Sequence, residues 1–97
     1  MKTIDYKRVA HIFRSAPGHL ADTRESRALL EDVANDINSS ASRDKFGNTW
    51  SARTGEDGVQ VWVQVRGDFI VNGGVNYPPR KFNTQTGLAS PIRPTRK

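Results

Sequence analysis

The chain contains no cysteine, so no disulfide staples it and no thiolate site can hold zinc. Its longest apolar runs are only a few residues, too short for a transmembrane helix. The N-terminus also lacks the apolar core of a signal peptide, so no membrane partner is expected. Hydrophobic residues supply only 35% of the 97 positions and aromatic residues only 8%. A chain of this size buries about 65% of its unfolded surface, which allows one domain with a thin core. Histidine is scarce as well, with His11 and His19 the two examples. A His-metal nuclease needs more imidazoles or a tight acidic cluster, so neither a metal nor any other cofactor is expected. Phosphate-cradling glycine loops and serine-hydrolase nucleophile motifs are missing, and a zinc deaminase is impossible without cysteine.

Positive charge is what the chain has in excess. Lys and Arg number 15 against 10 acids, a net charge of +5. Residues 1–19 carry +3, residues 20–44 carry −3, and residues 45–76 balance. Residues 77–97 carry +5 with no acid at all: Arg80, Lys81, Arg93, Arg96 and Lys97. If the two ends meet in the fold, they form one positive surface suited to a polyanion. The expected organisation is one domain over 1–90 and a basic tail over 91–97, where Pro91 and Pro94 discourage regular structure.

Hydrophobic spacing predicts two helices and then strands. Val9, Ile12 and Phe13 share a face of a first helix running from about Ile4 to Arg14, stopped by Pro17-Gly18. A second helix starts at Asp22 or Thr23, where Asp22 and Glu25 have the spacing of a capping box. Leu29, Leu30, Val33 and Ile37 form its buried stripe, Glu31, Asp32 and Asp36 its wet face, and Asn38-Ser39-Ser40 end it. From Trp50 the period becomes 2. Val59, Val61, Val63 and Val65 line one face of a central strand, and Gln60, Trp62, Gln64 and Arg66 line the other. A third strand begins at Phe69, with Gly73-Gly74 as a bulge or a turn. The fold class is α+β, with two N-terminal helices packed on one face of a three- to five-stranded antiparallel sheet.

If the helices cover the valines, the amides, indole and guanidinium of the opposite face stand open for stacking bases and binding phosphate. An exposed Trp62 is uncommon without a partner, unless the C-terminal tail covers it. His19 follows Pro17-Gly18 at the entrance to the second helix, near Arg14, Asp22 and Thr23, where it is accessible for acid–base work. Metal-free RNA cleavage is the enzyme chemistry these residues allow. It needs a base for the 2′-hydroxyl, an acid for the 5′-oxygen, and cations or amides for the phosphorane.

The segments HIFRSAPGHLADT, DKFGNTWSARTGEDGVQVWVQVRGDFIVNGGVN and PPRKFNTQTGL resemble the C-terminal toxin modules of bacterial polymorphic toxins. Contact-dependent inhibition and Rhs proteins carry such modules. The layout is similar to the barnase–EndoU–colicin–RelE fold group. The resemblance implies a ribonuclease, often one acting on tRNA, secreted or surface-delivered as part of a larger toxin. It would act in the target-cell cytoplasm and be blocked at home by a dedicated immunity protein, acidic if it complements this chain's charge. Carried onto this sequence it points to His19 first and then to Arg66. Thr23, Asn76 and Arg80 are weaker candidates, and His11 is one only if the first helix turns that face toward the sheet opening. Trp62 and Gln64 would line the substrate cleft, and Arg80 and Lys81 would form part of the RNA track. The chain departs from the barnase pattern in having no Glu on the polar face of a strand. Two other readings use the same residues: a non-catalytic nucleic-acid-binding module, and a protein-interaction domain docking through Trp62.

Overall fold

The computed structural model describes residues 1–89, so the tail expected over 91–97 lies outside the described residues. In chain order the elements are β1 (Thr3–Ile4), a 3-10 turn (Tyr6–Arg8), α1 (Val9–Ile12) and α2 (Arg24–Asn35). Strands β2 (Ser40–Arg43), β3 (Thr49–Thr54), β4 (Gln60–Arg66) and β5 (Phe69–Asn76) follow. They form one five-stranded sheet in the order β1-β5-β4-β3-β2. All neighbours are antiparallel except β1, which pairs with β5 in parallel. Among the described residues no helix is long and apolar enough to cross a membrane.

The valine face carries the main core. Val63, Val65 and Ile70 pack with Leu30, Val33 and Ala34 of α2, Ile12 of α1 and Ile4 of β1. Of the two starts the pattern allows for α2, the structure uses Thr23 and not Asp22 as the cap. Thr23 accepts from the Ser26 N–H at 3.0 Å, while Asp22 holds Arg27 at 2.7 Å. Asp36 is already extended at the C-cap, so Ile37 leaves the helical stripe and is 95% exposed instead of buried. The wet face is used as well. Asp32 and Asp36 both ion-pair with Arg53 of β3, at 2.9 and 3.0 Å.

The expected first helix from Ile4 to Arg14 is broken into three pieces. Ile4 is taken by the sheet, opposite Ile70, and is almost fully buried there. Asp5 then accepts from the Lys7 N–H and caps the 3-10 turn, which leaves a single α-helical turn before Phe13. Gly73-Gly74 is neither bulge nor turn. Strand β5 runs straight through it, and the register shift falls between Gln64 and Val65. Strand β2 has no apolar alternation because it is a short, largely exposed edge.

The polar face of β4 is not open. Residues Phe82–Ala89 fold back over it, and Trp62 is 1% exposed beneath them, against Trp50, Ala52 and Leu88. The two indoles lie 5.4 Å apart at 35°. Side-chain amides of the sheet stitch the covering segment down. The Gln60 carboxamide accepts from the Arg80 N–H and donates to the Arg80 carbonyl, both at 3.1 Å. Asn76 donates to Gln60 at 2.9 Å and to the Leu88 carbonyl at 2.7 Å. Gly87 has φ +68°, and a Cβ there would run into the Trp50 indole. Gly87→Ala is expected to cost about 3 kcal/mol, read as a lower urea midpoint. An unchanged midpoint would show that this segment does not seat on Trp50.

Candidate functional site

The short helix α1 puts His11 and Arg14 three residues apart on one side of the chain. Arg14 Nη1 donates to the His11 carbonyl at 2.7 Å and lies 3.1 and 3.3 Å from the two His11 ring nitrogens. Beyond Pro17 the chain pairs with the free edge of β5, where the Val75 N–H donates to the Gly18 carbonyl at 2.8 Å. Gly74 permits that approach, because a Cβ there would meet the Gly18 carbonyl. His19 follows at once. Its Nδ1 is 2.8 Å from the Ile12 carbonyl, and its ring meets Trp62 edge-on at 6.2 Å. Arg14 thus contacts the exposed His11, and both are near enough to the half-buried His19 for their charges to act on one another.

The two histidines differ electrostatically. Burial lowers the His11 pKa, and the charges of Arg14, His19 and Arg8 lower it further. Nothing resolved acts in the other direction. Burial also lowers the His19 pKa, with Arg14 adding to it, but the carbonyls of Ile12 and Gly73 favour the imidazolium. Both imidazoles are thus biased toward the neutral form, and only His19 has contacts that act against that bias.

Other candidates from the sequence lie elsewhere. Arg66 is exposed at the far end of β4, about 13 Å along the strand from Trp62 at four residues, and its Nε donates to Asn48 at 3.0 Å. The Thr23 hydroxyl caps α2 and donates to Ser26. Trp62 is sealed, so its ring offers no stacking face, and its Nε1 has no hydrogen-bond partner among the described residues. Gln64 is half-buried in the sheet between Trp50 and Asn72. Asn76 is 4% exposed and committed to Gln60 and Leu88. Arg80 and Lys81 are exposed, with the Arg80 main chain held on both sides by Gln60.

From the sequence, Arg14 has only a supporting place beside His19. Its i, i+3 spacing from His11 was the available signal. Nothing in the local sequence pattern marks Asp44 as buried. It accepts from Phe46 N–H, Asn48 N–H, Asn48 Nδ2 and Trp50 Nε1, all within 3.0 Å. Burial pushes this carboxyl up, but those donors outweigh it and hold the pKa at about 2. It is a structural anion, and its engaged oxygens do not make it the carboxylate base that a barnase-like site would use. Among the described residues no cluster of three or more His, Asp or Glu is placed to hold a metal ion. Compared with known proteins, the chain matches no family model, no curated protein and no solved structure.

Proposed function

We propose that this domain cleaves RNA without a metal, using His11, His19 and Arg14. The observation that carries the reading is Arg14 in contact with the exposed His11 and close enough to His19 for its charge to act on that ring, in a chain of net charge +5. Neutral His11 takes the proton of a ribose 2′-hydroxyl as O2′ attacks the adjacent phosphorus. The P–O5′ bond breaks, and His19 delivers a proton to O5′ from its other ring nitrogen, Nε2. Arg14 offsets the charge that builds on the phosphorane oxygens. The products are a 2′,3′-cyclic phosphate and a 5′-hydroxyl. Phosphate contacts from the basic surface supply salt-sensitive affinity. Delivery as the toxic end of a larger protein, tRNA as the target and an acidic immunity partner belong to this proposal through the toxin resemblance alone.

The test is incubation with total bacterial RNA in EDTA, followed by analysis of the new ends and of rate against pH. Cyclic phosphate ends and a bell-shaped profile are expected. Both imidazoles titrate below 6.5, so the maximum falls on the acid side of that value. Linear 3′-phosphate or 3′-hydroxyl ends as primary products, or a rate that climbs steadily past pH 8, would contradict the two-histidine mechanism. A salt-sensitive shift of RNA with no cleavage would leave a binding module instead.

A further inference from the structure

We propose that the groove beside His19 is a nucleobase subsite for single-stranded RNA, with Tyr77 as its stacking platform. The inference rests on the nucleic-acid reading above and names where the substrate chain lies. A groove of about 570 Å³ runs between the Pro17-Gly18 turn and the Tyr77–Arg80 segment, lined chiefly by Pro17, Gly18, Tyr77, Pro78, Pro79 and Arg80. One wall therefore leads directly into His19 through Gly18. The other carries an aromatic ring that is 76% exposed. Prolines, a phenol and a guanidinium form a lining with flat apolar surface for a base and a cation for its phosphate. The volume suits a small planar ligand group.

Tyr77 is exposed but its backbone is fixed. The residue before it is held through the Asn76 carboxamide by Gln60 and the Leu88 carbonyl, and Arg80, three residues on, is held through its N–H and carbonyl by Gln60. Gly58 abuts the ring on the side of the β3–β4 turn, where a Cβ would touch it. An aromatic presented on a segment clamped at both ends loses little freedom on binding, the usual condition for a useful anchor. The surrounding cations complete the argument. Arg80 lines the groove with the exposed Lys81 next to it in the chain, and Arg14 acts by its charge on His19, which follows Gly18 of the other wall. A base in a duplex is already stacked and cannot enter; an unpaired one can.

The experiment measures binding of a 5′-fluorescein 2′-O-methyl-uridine octamer, which lacks the attacking hydroxyl, by anisotropy at two salt concentrations. Tyr77→Ala is expected to weaken binding about 5- to 150-fold, the range for one base–aromatic stack. Tyr77→Phe keeps the ring and is expected to bind within about twofold of the wild type, since the phenol oxygen is not required for stacking. A blunt octamer duplex is expected to bind more weakly than the single strand. Equal affinity of the wild type and Tyr77→Ala overturns the subsite, and so does preference for the duplex or no binding at all. Cleavage of ordinary RNA is followed in parallel. Tyr77-dependent binding with no cleavage leaves the subsite standing and removes the catalytic reading. Cleavage with binding and KM indifferent to Tyr77 does the reverse.

Discussion

His11→Ala is expected to slow RNA cleavage about 100- to 10,000-fold, the range for losing a general base, with almost no change in thermal stability. The His11 side chain is exposed, and its removal opens no cavity, so the folding cost is within about 0.5 kcal/mol. His19→Ala behaves differently. It loses the bond to the Ile12 carbonyl and the edge contact with Trp62, which ties the end of α1 to the sheet. A cost of about 1–2 kcal/mol is expected together with the loss of rate. The pair of variants therefore separates chemistry from scaffolding. Rates come from a short RNA with one scissile ribose, and stabilities come from urea melts on the same preparations. If His11→Ala cleaves at the wild-type rate, His11 is not the base and the proposed division of labour fails. If His19→Ala loses only stability while its residual folded fraction cleaves normally, His19 is a structural bolt and the acid lies elsewhere.

Much of this architecture is legible from spacing alone, but only where an apolar stripe itself marks the buried face. The four valines announce a strand with one dry side, and Leu30 with Val33 announces a helix to cover it. Both sit in the main core, apart from Val59, which precedes β4. Patterning fails where the partner is distant in sequence. Ile4 reads as part of a helix until Ile70 claims it as a strand. Ser40–Arg43 carries no apolar signal because an exposed edge strand needs none. The row Gln60, Trp62 and Gln64 reads as a binding surface because alternation shows which residues share a face and not whether that face is wet. Long-range return of Phe82–Ala89 decides it, and local sequence gives no measure of such a return. The polar residues of that face then become fastenings, with Gln60 and Asn76 gripping the chain that covers them.

That covering has a consequence for where a substrate can lie. With the centre of the sheet sealed, accessible chemistry is displaced to the edge of β5, whose outward N–H at Val75 is met by the Gly18 carbonyl. The same loop delivers His19 and forms a wall of the Tyr77 groove. The proposed catalytic and binding elements are therefore joined through Pro17, Gly18 and His19, a span too short for large independent movement. Arg66, attractive on a strand diagram, is instead committed to Asn48 at the opposite end of β4.

Asp44→Asn is expected to cost about 2–4 kcal/mol at pH 7, a large fraction of the stability of a domain this small. The carboxylate is 7% exposed and accepts four hydrogen bonds that together close the β2–β3 turn and orient Trp50. An amide at this position turns one acceptor into a donor facing other donors. At least one N–H is then left buried without a partner. The pH dependence gives the discriminating measurement. The folded pKa of about 2 lies below the ordinary 3.8, so the unfolded chain binds the proton first as pH falls. The stabilisation from ionised Asp44 is complete above about pH 4 and is lost as pH falls through about 2, an amount of about 2 kcal/mol. The gap between wild type and Asp44→Asn should therefore be widest near neutrality and shrink at pH 2–3, measured by urea midpoints across that range. A gap that stays constant would mean that the charge contributes nothing and the turn is held by shape alone. A variant as stable as the wild type at pH 7 would remove Asp44 from the framework that orients Trp50, and with it the packing of Trp50 on Trp62 that supports the edge of the His19 ring.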